Sequence, residues 1–240
     1  MPARAGAALQ FVAAGFSADG SAAAWRQLNG TNVLRNANAA TNGWTLAESF
    51  GGAVWFDGGS AVSPMEFGDG ACGSAAFAMA VVECWEGADF ATLIDAPTPV
   101  RFSKTPWQSP DPAAAREFEA ELAGLTNSIA VNGAARGKIR IGAERQLVEA
   151  RFGEAAGLDE IFIGGSPAHF AWGRGWRGGI AELILFAGIP SEREINAARR
   201  YLAAKHKIAP PTESDSEIVA LLAALGIDDF GVFNTVISVR

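Results

Sequence analysis

The sequence predicts an all-β fold: two packed antiparallel sheets, a peripheral helix, and a C-terminal tail made of a short helix and a strand. Three observations predict it. The 240 residues include 28 glycines and 11 prolines, a punctuation that suits many short strands joined by turns. No long helical periodicity occurs before Ser191. From there Ser191-Glu192-Arg193-Glu194 has the spacing at which an N-cap hydroxyl and an N3 carboxylate satisfy neighbouring backbone amides, and Ile195, Ala198, Tyr201 and Leu202 fall on one helical face. A chain with 49% hydrophobic residues can bury a sizeable core in a single domain. Residues 1–208 are expected to form the sandwich and residues 209–240 the tail.

In chain order, residues 9–14 read as a first strand, and residues 43–50 lead into another at 54–56. Strands around 77–83 and 90–94 follow. Prolines 97, 99, 106, 110 and 112 predict a long irregular connection, because each fixes φ and removes a backbone donor. Residues 116–122 alternate Phe118, Ala120 and Leu122 with Glu117, Glu119 and Glu121, which fits a strand with one wet face or a short helix. Asn132-Gly133 supplies the positive φ of a hairpin turn after residues 129–131. Residues 161–163 and 180–186 are apolar runs bounded by Gly164-Gly165 and Gly178-Gly179, and both read as strands. Beyond Pro210-Pro211, Ser214 and Glu217 form a second capping box before Ile218, Leu221, Leu222 and Leu225. Residues 230–239 have strand composition and are free either to pair within the chain or to dock on a neighbour.

The order Ile163-Gly164-Gly165, then Ile180-Ala181-Glu182-Leu183, then a helix that opens Ser191-x-x-Glu194 and closes Tyr201-Leu202-x-x-Lys205 carries a resemblance. It resembles the closing segment of concanavalin A-like, laminin G-like jelly-roll domains of bacterial surface or secreted proteins. The segment from Trp25 to Asn32 and Val54-Trp55-Phe56-Asp57-Gly58 are similar to two earlier motifs of that family. The resemblance runs from about Leu9 to Ile208. It implies a jelly roll at the cell surface or outside the cell, with any export signal or anchor upstream of this chain. It also implies a choice of functions, because the family holds lectin-like binders, adhesion modules, structural domains and glycosidases.

Composition narrows the partners. The formal net charge is −7, and no Lys/Arg cluster is dense enough to neutralise successive phosphates, so nucleic acid and anionic membrane surfaces are poor candidates. No apolar run is long enough to cross a bilayer as a helix. Cys72 and Cys84 bracket an apolar run; if that run is one continuous strand, its rise per residue keeps the two sulfurs beyond disulfide reach.

The chemistry-bearing candidates are few. Glu117, Glu119 and Glu121 sit at i, i+2 and i+4, and they resemble the carboxylate strand of retaining glucanases, in which two carboxyl groups flank the scissile bond. The central Glu and Phe118 depart from that pattern, and ordinary alternation produces the same spacing. Neither His169 nor His206 has partners at metal-site spacing, and His206 suits the end of a helix dipole. Calcium is the cofactor the resemblance suggests, with Asp19, Asn29, Asn32, Asp57 and Asp69 as hard oxygen donors that turn formation explains equally well. Seven tryptophans against one tyrosine direct attention to loop aromatics. Trp107, His169, Trp172 and Arg174 are the expected ligand contacts; Trp25, Trp55 and Trp85 are expected in the core, and Trp176 is expected to pack.

The expected function is a non-catalytic recognition or structural module that binds carbohydrate or another surface protein. One alternative is a subunit of a surface appendage, pilin-like or phage assembly, forming an oligomer through the tail. The other is a retaining glycoside hydrolase using Glu117 and Glu121.

Overall fold

The computed structural model describes residues 8–19, 22–28, 33–35, 48–50, 52–58, 65–66, 74–86, 91–97, 99–104, 117–120, 129–135, 138–142, 144–165, 173–208 and 227. Within them the chain is predominantly antiparallel β, arranged as two sheets with one α-helix. The large sheet has eleven strands. Its main path runs β12 (Ala134–Ala135), β11 (Ile129–Val131), β14 (Gln146–Gly157), β7 (Ser74–Cys84), β16 (Arg177–Phe186), β1 (Ala8–Asp19), β2 (Ala22–Gln27), β3 (Val33–Arg35) and β6 (Met65–Glu66). Off that path, β4 (Glu48–Phe50) pairs with β5 (Ala53–Asp57), and β5 pairs with β16. The small sheet orders β13 (Lys138–Arg140), β10 (Glu117–Ala120), β9 (Val100–Lys104), β8 (Ala91–Asp95) and β15 (Phe162–Ile163).

Alternation along the central strands gives the large sheet two buried faces. Ala78, Ala80 and Val82 of β7, with Leu183 and Leu185 of β16, join Leu93, Phe102, Ile139 and Ile163 of the small sheet in one core. Phe77, Met79, Val81, Ile184 and Phe186 point the other way, onto helix α1 (Glu192–His206). Burial on both faces explains why these strands read as continuous apolar runs rather than strict alternations. The helix begins as the capping box predicts: Ser191 Oγ accepts from the Glu194 backbone amide, and the Glu194 carboxylate accepts from the Ser191 amide at 2.7 Å. It ends at Lys207, whose φ of 59° is left-handed.

The hairpin at Asn132-Gly133 forms with φ of 50° and 79°, as an Asn-Gly turn requires. Gly164 is a position where only glycine serves: its φ is +88°, and a Cβ there would lie 2.0 Å from the Phe56 ring. One expectation is corrected. The proline-rich stretch from 97 is not irregular throughout, since Val100–Lys104 form β9 in the middle of the small sheet. Val100 and Phe102 bury two inward side chains there, and the prolines at 97 and 99 precede the strand, where no ladder donor is lost. Of the tail, only Ile227 belongs to the described residues. It is buried in the apolar cluster under α1, so the chain docks on itself at that point. The expected tail helix and the 230–239 strand lie outside the described residues.

Candidate functional site

An exposed tryptophan marks the end of the sandwich where β7 finishes. Trp85 is 54% exposed, whereas Trp25 and Trp176 are 0% and 1% exposed. Its ring meets Trp55 of β5 edge to face, with centroids 5.1 Å apart. Gly179 lies between β7 and β5 in the ladder, opposite both Glu83 and Trp55, and a Cβ there would fall 3.5 Å from the Trp55 ring and 2.8 Å from Ala53 Cβ. A residue with no side chain at that point lets the indole lie across the sheet. The amide of Trp85 donates to the Arg177 carbonyl at 3.0 Å, and Arg177 Nη1 pairs with Glu86 at 3.0 Å. Trp55, Trp85, Glu86 and Arg177 therefore form one continuous surface that combines a flat aromatic face with an adjacent donor and acceptor.

The expectation that Trp85 belongs to the core is corrected. The register explains the reversal: β7 ends at Cys84, the last buried residue of the run, and the next residue leaves the sandwich. Trp25 is buried as expected, with its indole N–H donating to the Val12 carbonyl at 2.8 Å. Trp55 is half-buried and Trp176 is packed against Phe102. Among the other expected ligand contacts, Arg174 is half-buried and its carbonyl accepts from the Thr92 amide at 2.8 Å, which stitches the 173–176 segment to the small sheet. Trp107, His169 and Trp172 lie outside the described residues.

The carboxylate strand exists as β10, where Glu117 stands opposite Arg140 and Glu119 opposite Lys138 in the register. Glu121 lies outside the described residues. Of the calcium candidates, Asp57 is exposed at the end of β5 and Asp19 ends β1, while Asn29, Asn32 and Asp69 lie outside the described residues. Among the described residues no three His, Cys, Asp or Glu side chains cluster at metal-binding distances. Cys84 is a free thiol, and burial pushes its pKa up to about 12, so it stays protonated and poorly nucleophilic at neutral pH.

Two further features escaped sequence reasoning. A groove of about 540 Å³ is lined by Asn132, Lys138, Arg140, Glu144, Arg145 and Ile208. Its Arg145 is already committed, with Nε on Glu83 at 2.8 Å and Nη1 at 3.0 Å from His206 Nδ1. Beside it, Glu182 is wholly buried and holds Gln10, Lys205 and His206 at 2.6, 3.2 and 2.8 Å. Only its place in an otherwise apolar strand signalled this carboxylate. A β-bulge decides which way it points: Ile180 pairs with Val82 and Glu182 with Val81, so Ile180 faces the sandwich and Glu182 faces the helix. Higher along the helix, Arg199 makes a two-pronged bond to Glu149, which raises the guanidinium's already high proton affinity.

None of the described helices is long and apolar enough to cross a membrane. Comparison of the chain with family models, characterised proteins and solved structures found no match.

Proposed function

We propose that this chain is a non-catalytic recognition module of a bacterial surface or secreted protein, built as a concanavalin A-like, laminin G-like jelly roll, and that it takes carbohydrate on the Trp55–Trp85 surface. The observation that carries this reading is the exposure of Trp85. A large indole held edge-on by a second ring offers a rigid flat face, at low entropic cost, to the C–H face of a sugar. The Arg177–Glu86 pair beside it supplies one donor and one acceptor, the complement of two neighbouring hydroxyl groups. The four-residue surface requires no metal, so calcium enters only as a condition to vary.

The test is a glycan array probed with the purified chain, with and without calcium, for the parent and for Trp85→Ala. The expected result is a sugar bound by the parent and weakened in the variant by about 1 to 3 kcal/mol, at an unchanged melting temperature. A glycan that both proteins bind equally would move the site elsewhere. Failure of the parent to bind any glycan would count against carbohydrate as the ligand class.

A further inference from the structure

The last turn of α1 is fastened to the large sheet by a cluster of charged groups, and its geometry assigns a proton. Each element packed against His206 contributes to it. β1 supplies Gln10, β7 Glu83, the residue just before β14 Arg145, and β16 Glu182, while α1 supplies Tyr201 and Lys205. His206 stands at the centre, with Nε2 2.8 Å from Glu182 Oε2 and Nδ1 3.0 Å from Arg145 Nη1. A guanidinium can only donate, so the contact with Arg145 requires a lone pair on Nδ1. The ring proton therefore sits on Nε2 and is donated to the Glu182 carboxylate. With His206 neutral, Glu83 and Glu182 balance Arg145 and Lys205.

We infer that His206 is a pH-operated latch: neutral, it ties the end of α1 both to Arg145, just ahead of β14, and to Glu182 of β16, and a second proton breaks the tie to Arg145. That proton has one place to bind, Nδ1, where it replaces the acceptor that Arg145 uses. Two donors carrying like charge then face each other at hydrogen-bond distance. The arginine is the partner that yields. Its side chain is 26% exposed and lines the open groove, whereas the side chains of His206 and Glu182 are 7% and 0% exposed. Arg145 keeps Glu83 and swings towards the groove, and the turn carrying residues 203–207 loses its attachment to Arg145.

Hydrogen exchange at the amides of residues 203–207, followed from pH 8 to pH 5 in the parent and in His206→Gln, tests this. A glutamine amide can donate to Glu182 and accept from Arg145 as the neutral ring does, and it does not titrate. Once corrected for the intrinsic effect of pH, the parent is expected to exchange roughly tenfold faster at the acid end than the variant does. Nitrogen shifts of the His206 ring, assigned by their absence from the variant, are expected to show a neutral Nε2–H tautomer at pH 8. Equal exchange in both proteins, or a ring that is charged or protonated on Nδ1 at pH 8, overturns the proposal.

Discussion

On its inner face the large sheet meets the small one mainly through apolar residues such as Phe11, Trp25, Val54, Leu183 and Leu185, with the neutral Gln146 bonded to the Arg140 backbone, whereas on its outer face it meets α1 and buries Gln10 and the carboxylates Glu83, Glu149 and Glu182 as well. The difference follows from the shapes of the two covers. The small sheet, five strands wide, covers a broad band of the large one. A 15-residue helix is about 22 Å long and, with a diameter of about 10 Å, spans only two or three strands set 4.8 Å apart. Directly beneath α1 the sheet is apolar at Phe77, Met79, Val81 and Ile184. Towards the border buried carboxylates take over, met by Arg145, Arg199, Lys205 and His206, of which the two arginines are partly exposed. Beyond the border comes the exposed Trp85. The outer face thus grades from packing, through ion pairs, to an open aromatic surface.

Five substitutions probe this comparison. Trp176→Ala empties the inner core beside Phe102 and is expected to cost about 3 to 5 kcal/mol of unfolding free energy in urea. Glu182→Ala tests the outer border. It removes the carboxylate and leaves Lys205 and His206 facing a buried void, so a loss also near 3 kcal/mol is expected. A loss below about 1 kcal/mol, the worth of an exposed ion pair, would show that the border adds nothing to stability. Ser191→Ala removes the helix cap and should cost about 1 kcal/mol, read as a lower melting temperature. The smallest effect is expected of Glu117→Gln, paired with Glu121→Gln: ligand binding and melting temperature should match the parent's. Hydrolysis of a β-glucan by the parent, lost in either variant, would instead favour the glycosidase reading.

The local signals in the sequence were strong where short-range chemistry decides the outcome. The Ser191 capping box, the Asn132-Gly133 turn and the apolar runs at 77–83 and 180–186 each specify a conformation through neighbouring atoms, and each is present. Strands β2, β3 and β6 carry no strand signal in the sequence, and β9 lies in a stretch whose prolines predict loop. Their pairing depends on partners far along the chain, such as β3 with β6, and on inward residues too few to leave a period.

By itself, then, the sequence determined the class of elements, the position of the helix and the burial of Trp25 and Trp176. Only the tertiary structure decided that Trp85 faces water, since that depends on where β7 stops relative to β16. Only the tertiary structure also brought Glu182, Tyr201, Lys205 and His206 to Gln10, which lies more than 170 residues from Glu182 in the chain. Glu182 and Lys205 belong to the motif that carried the family resemblance, and its spacing along the chain holds no sign that they meet. A bulge of one residue in β16 turns the carboxylate towards the helix, and a shift that small in register leaves no trace in composition or periodicity.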